Sequence, residues 1–157
     1  MDLLLLVDKQ EAENIISFLC GPNAFHWPVS EGEKKSIRER VINSLKKEEF
    51  TKYWYYKNDN GKVIGAGAIE KLPDTKDGYF LGWFAVHKDY RRRGLGRKIV
   101  EKVEEYARSQ NGRFITIDTG EDNKAQTFYE KVGYKRVGFI PEYFEDKIAK
   151  IIYYKKL

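Results

Sequence analysis

The chain reads as an α/β protein with a central mixed, mostly antiparallel sheet flanked by helices. Three observations predict this. Apolar spacing switches along the chain between steps of three or four residues and alternation, so helices and strands are interleaved rather than segregated. The 157 residues are enough for one domain over 1–157 with its own core, and too few for two comfortable ones. Hydrophobic residues at 41% and aromatic residues at 15% exceed what a disordered chain carries, even with 34% charged residues, so the chain should fold by itself.

The elements follow in order. Leu3 to Val7 is an apolar run read as a short buried strand. It is preceded by Asp2 and too short for a signal segment. From Lys9 to Leu19, apolar residues at Ala12, Ile15, Ile16 and Leu19 keep a helical spacing that Gly21-Pro22-Asn23 ends. Ser30 with Glu33 three residues on is a capping pair, and Ile37, Val41 and Leu45 recur at four-residue steps as a second helix. Between the helices, Phe25-His26-Trp27-Pro28 either packs beneath them or lines an acceptor pocket. Tyr53–Lys57 and Lys62–Lys71 form a hairpin about the turn Asn58-Asp59-Asn60-Gly61. After a polar loop, Tyr79–His87 is apolar on both faces, as a central strand is. A helix then runs to about Ser109 and is closed by Asn111-Gly112. Phe114–Asp118 is a buried strand, Asn123–Val132 a helix stopped by Gly133, and Tyr134–Ile140 with Lys150–Lys155 two final strands.

The most informative segment is Arg91-Arg92-Arg93-Gly94-Leu95-Gly96-Arg97-Lys98, between the central strand and an apolar stripe at Leu95, Ile99, Val103 and Tyr106. Two glycines allow a tight turn whose N–H groups face one point, and the helix that opens there adds its positive end. Its five cationic side chains account for the whole formal excess of +5. A charge excess this local suits one compact anion, a phosphate or diphosphate, rather than a long polyanion, so no nucleic-acid partner is expected. The glycine spacing is neither that of a Walker loop nor the three-glycine dinucleotide fingerprint.

This Arg-x-x-Gly-x-Gly segment, with Phe84-Ala85-Val86-His87 before it, resembles the acyl-CoA diphosphate loop of the GNAT superfamily of N-acyltransferases. The stretch Asn123-Lys124-Ala125-Gln126-Thr127-Phe128-Tyr129-Glu130-Lys131-Val132-Gly133-Tyr134 resembles that family's second motif. The order of elements is also the one a GNAT fold implies. The resemblance implies that acetyl-CoA is the co-substrate, with no metal. Its diphosphate would be bound by Arg91, Arg92, Arg93, Gly94, Leu95, Gly96 and Arg97, and its pantetheine arm and thioester by the backbone of Phe84, Ala85 and Val86. Tyr129 would be the acid for the departing thiolate. A phenol with a pKa of about 10, against roughly 8.5 for a thiol, is protonated at neutral pH and can play that part. The family asparagine, which touches the pantetheine or helps to cap the helix, falls on Asp122 in this sequence; the resemblance implies that Asn123, one residue later, serves at the cofactor through a shortened loop, and either side chain can also cap the helix.

An attacking amine with a pKa of about 10.4 is almost wholly protonated at pH 7, so a base helps. Asp118, at the end of a strand, ranks ahead of Glu70, at the end of the hairpin. His87 is read as a solvated or capping residue, and His26 has no assigned role. Cys20, the single cysteine, forms no internal disulfide, has no motif around it and is read as a core residue, so direct transfer is expected rather than a thiol relay. The expected protein is a cytoplasmic N-acetyltransferase acting on a small-molecule or peptide amine, with no membrane partner and with a homodimer open to it. The alternative is a non-catalytic acyl-CoA-binding or sensing domain that keeps the glycine loop.

Overall fold

The computed structural model describes residues 1–47 and 50–157. The elements are β1 Leu4–Leu5, α1 Lys9–Leu19, α2 Glu31–Asn43, β2 Thr51–Lys57, β3 Val63–Lys71, β4 Gly78–Val86, α3 Leu95–Ser109, β5 Phe114–Gly120, α4 Gln126–Lys131, β6 Lys135–Glu145 and β7 Ile148–Lys156, with a 3-10 turn at Lys88–Tyr90. The strands form a seven-stranded mixed sheet in the order β1-β2-β3-β4-β5-β7-β6. β1–β2, β2–β3, β5–β7 and β6–β7 are antiparallel. β4 and β5 run parallel, which requires a crossover, and α3 supplies it. The chain divides into two compact units, Met1–Lys71 with Leu81–Val103, and Leu72–Phe80 with Glu104–Leu157.

In the first unit, α1 and α2 bury Ala12, Ile15, Ile16, Leu19, Ile37 and Val41 against the sheet. The Ser30–Glu33 capping box forms as the sequence predicts, and Glu33 also accepts the Trp27 indole N–H at 3.1 Å, tying the aromatic loop to the helix start. Two glycines of β3 set where α3 lies. A Cβ on Gly67 would stand 2.7 Å from Ile99 Cγ2, and Gly65 also faces Ile99, so the strand lacks side chains where the helix crosses it. Gly65 lies against the Ala85 carbonyl and Gly82 against the Glu70 carboxylate, the crossed order of an antiparallel β3–β4 pair.

In the second unit, β5 alternates as a half-buried strand, with Ile115, Ile117 and Thr119 inward, and β7 presents Ala149, Ile151 and Tyr153. Buried Glu104 is satisfied by Lys155 at 2.7 Å and Arg108 at 3.4 Å.

Four expectations need correction. The first strand is two residues long and its Leu4 and Leu5 are exposed; the sheet edge leaves them uncovered, and only Leu6 of that run is buried. The helix expected over Asn123–Val132 spans only Gln126–Lys131, because the Asn123 side chain holds an Asx turn before it. β6 continues past Pro141 to Glu145, with shifts of register between Arg136 and Gly138 and between Ile140 and Glu145 that absorb the proline. The 3-10 turn was not expected, since three residues are too few to show a period.

Candidate active site

The glycine loop is built mainly by backbone conformation. Arg92 (φ 61°) and Gly94 (φ 82°) both occupy the left-handed region, on either side of Arg93. Such alternation turns successive N–H groups toward one point and makes an anion-binding nest. Lys98 is the first residue of α3 whose N–H reaches back, to Gly94 O at 3.2 Å. The N–H groups of Leu95, Gly96 and Arg97 therefore stand in the unpaired first turn of the helix. Open space surrounds the position of a Cβ at Gly94, so glycine is required there by its φ and not by crowding.

The arginines divide into two kinds. Arg91 donates from Nε to Val86 O and from an amino group to Ala24 O, both at 2.9 Å, clamping the loop to the end of β4 and to the segment after α1. Arg93 donates to Asp89 O at 3.2 Å and lies over the Tyr90 ring at 4.9 Å. Arg92, Arg97 and Lys98 extend from the exposed surface of the same turn. His87 accepts the Asp89 N–H at Nδ1 and stacks with Phe18, so it caps the turn that leads into the loop. This nest, a helix start and exposed cations fit the diphosphate of a nucleotide cofactor.

Just before the loop, β4 is irregular. Its ladder with β5 covers Gly78–Phe80, and Trp83 has a φ of 28°, outside what a strand residue adopts. A kink of this kind re-aims the main-chain groups that follow, here those of Phe84, Ala85 and Val86. The Val86 carbonyl is already taken by Arg91, which leaves that residue's contribution to its N–H side. Beside the kink, Trp83 meets Phe25 at 5.8 Å and Phe25 stacks on Trp27 at 4.7 Å. The fate of the aromatic loop is not legible in the sequence, because no local spacing reports the contact between Phe25 and Trp83, 58 residues apart.

Glu70 also faces this stretch. Its Oε2 pairs with Arg40, its Oε1 is buried without a hydrogen-bond partner, and a Cβ on Gly82 would lie 2.3 Å from that oxygen. Burial pushes the neighbouring Tyr53 phenol far up, and the Glu70 charge adds to it.

In the second unit, Tyr129 sits in α4 with 6% of its surface exposed, against the rings of Phe128 and Tyr153 at 5.6 and 5.7 Å. Burial, and secondarily Tyr153, pushes its phenol well above the ordinary tyrosine value. Asn123 uses both ends of its amide within its own loop, donating to Thr119 Oγ1 at 2.8 Å and accepting from Ala125 N at 2.9 Å. Asp118 is ion-paired with Lys150 at 2.6 Å. Burial works against the Lys150 cation, yet the Asp118 carboxylate holds its ammonium above the ordinary lysine value. The candidate residues thus fall into two sets: Phe84–Val86, Arg91–Arg97 and Glu70 in the first unit, and Asp118, Asn123 and Tyr129 in the second. Cys20 is only partly buried, packed against the core, and burial raises its thiol. Among the described residues no cluster of His, Cys, Asp or Glu could hold a metal ion, and no helix is long and apolar enough to cross a membrane.

Comparison with known proteins supplies the family. The chain is 29% identical over 120 residues to the protein named "Probable N-acetyltransferase camello" of Xenopus tropicalis, covering 74% of this chain and 54% of that one. It spans little more than half the length of the first curated relatives it matches. Among solved structures, an aminoglycoside 6′-N-acetyltransferase complexed with coenzyme A superposes with a TM-score of 0.80 at 18% identity, over 99% of this chain and 97% of that one. An acetyltransferase of the GNAT family from Staphylococcus aureus gives 0.78 at 20% identity, over 99% of both. At these identities the two structures show the fold alone. The family itself is shown by the Acetyltransferase (GNAT) profile, which matches residues 15–134 and so takes in the kinked strand, the glycine nest and the Tyr129 helix together: the chain belongs to the GNAT acetyltransferase family.

Proposed function

We propose that residues 1–157 act as one acetyl-CoA-dependent N-acetyltransferase domain that moves an acetyl group directly to a primary amine. The observation that carries this reading is the nest at Arg92–Gly94 opening into the unpaired first turn of α3. When bound, acetyl-CoA supplies an activated acyl thioester. The chain's own residues would do the rest. N–H groups from Leu95 to Arg97, with Arg92 and Arg97, hold the diphosphate, while Arg91 and Arg93 hold the loop. Main-chain groups of Phe84, Ala85 and Val86 orient the pantetheine arm and polarise the thioester carbonyl. One such donor is worth about 3 kcal/mol in other acyl-transfer sites.

As the amine nitrogen bonds to the acyl carbon and the carbon–sulfur bond breaks, one proton leaves the amine and one is given to sulfur. Tyr129 gives that proton, and its burial keeps it protonated across the physiological range. For the amine proton, Asp118 and Glu70 are the candidates. Each is ion-paired through one oxygen, Asp118 with Lys150 and Glu70 with Arg40, so the pairing does not separate them. Asn123 acts by positioning the start of α4. Phe25, Trp27 and Trp83 supply an apolar wall for the acceptor, a small molecule or peptide amine.

The test is free-thiol release from acetyl-CoA across a panel of amines, polyamines, amino acids, aminoglycosides and peptide N-termini. Turnover with at least one class is expected. Coenzyme A binding without turnover on any amine would instead support the acyl-CoA-binding or sensing domain.

A further inference from the structure

We infer, resting on the reading of Tyr129 as proton donor, that Lys155 is its positioning residue: from β7 it caps the C-terminal end of α4 and so fixes where the Tyr129 phenol stands. Strand alternation puts Ala149, Ile151, Tyr153 and Lys155 on one face of β7. The first three are buried, so a lysine at the fourth position breaks an apolar row. Its side chain is only 24% exposed, and a cation that deep is held by specific partners.

Those partners join three elements. The Lys155 ammonium donates to Glu104 Oε1 of α3 at 2.7 Å and to Val132 O, at the end of α4, at 2.8 Å, and it lies over the Tyr134 ring at 5.4 Å. After α4 the chain turns at left-handed Gly133 (φ 93°), whose N–H reaches Glu130 O at 3.0 Å, while the Tyr134 N–H reaches Tyr129 O at 3.0 Å. This closing turn uses the carbonyls of Tyr129 and Glu130, and Lys155 takes that of Val132. A cation there also complements the negative end of the helix. A Cβ on Gly133 would stand 3.4 Å from Lys155 Cε, so the lysine stem runs against the turn itself.

With six residues, α4 is too short to hold its own shape, so its place is set by what grips it. β7 grips it twice. The Tyr153 hydroxyl donates to Glu130 Oε1 at 3.2 Å and its ring meets that of Tyr129 at 5.7 Å, while Lys155 holds the end. Tyr129 stands between the two grips, and its own carbonyl belongs to the turn that Lys155 closes. A displacement of about 1 Å at a reacting group can cost about 100-fold in rate, so a loosened α4 end would be read in proton delivery.

Steady-state kinetics and amide hydrogen exchange on the purified chain test this. Lys155→Met should lower kcat about tenfold or more with KM for acetyl-CoA within about twofold, and exchange over residues 126–134 should rise about tenfold. Where that variant melts early because Glu104 has lost its closer partner, Glu104→Leu/Lys155→Met removes the stranded charge and reads the same two quantities. Arg108→Met, which removes the other cation beside Glu104 but leaves the Val132 bond in place, should change neither. In a Tyr129→Phe chain the Lys155 replacement should lower kcat by less than about twofold further, because the group it positions is gone. Wild-type kcat or wild-type exchange in the Lys155 variants overturns the inference, as does a loss that is equally large in the Tyr129→Phe chain. Tyr129→Phe at wild-type kcat is a different failure: it removes the acid assignment, and the positioning role with it.

Discussion

The glycine loop and the surroundings of Tyr129 are held in shape by opposite means. The loop is exposed, and its shape is written in backbone dihedrals, with two left-handed residues, an unpaired helix start, and arginines spent on carbonyls to fix the turn. Tyr129 is buried, and its phenol is raised by that burial, with Tyr153 from a distant strand adding to it. An anion site must stay open to water and ligand, so it is held by conformation. The phenol proposed as proton donor is kept from ionising by burial.

The largest expected effect lies on the buried side. Tyr129→Phe keeps the ring and removes the proton, so kcat should fall about 100-fold while acetyl-CoA affinity changes less than about twofold. Unchanged kcat would return Tyr129 to a packing role. Next comes the link between sheet and loop. Gly67→Ala places a methyl against Ile99, and overpacking of this kind costs about 1–3 kcal/mol, read as a lowered Tm. Ile99→Ala in the same chain should recover part of it.

On the exposed side, Gly94→Val imposes a left-handed conformation worth roughly 1–2 kcal/mol, so acetyl-CoA should bind about tenfold more weakly with kcat at saturation nearly retained. Equal losses in both parameters would mean that the loop also orients the thioester.

The smallest effect separates the two regions by pH. Tyr53, Tyr129 and Tyr134 all have phenols raised by burial. A phenol raised in the folded state contributes stability that is complete below its unfolded value of about 10 and is lost as pH climbs through the folded value. In a Cys20→Ser chain, which removes the thiol that burial also raises, denaturant midpoints should therefore be flat from neutrality to about pH 10 and fall above it, less steeply when Tyr129→Phe is added. A fall beginning near pH 8 would contradict this.

What the sequence disclosed follows the same division. The glycine spacing, the capping box at Ser30 and the α3 stripe depend on neighbours within a turn or two, and all were legible. The Phe25–Trp27–Trp83 cluster, the Glu70–Gly82 contact and the pairing of Asp118 with Lys150 join residues far apart in sequence, and no periodicity encodes them. Asn123 shows a middle case. Its type marked a cap or a contact, and only the positions of Thr119 and Ala125 show that both ends of its amide are engaged locally. Leu3–Val7 misled because an apolar run does not say whether a strand is central or at an edge.

The central claim is that the turn at residues 92–97 holds the diphosphate of an acyl-CoA. Calorimetric titration of the purified chain with coenzyme A, beside the Gly94→Val chain, tests it most directly. The account predicts saturable heat with one site per chain, weakened about tenfold by the substitution. No heat with the wild type, or equal affinity in both chains, would contradict it.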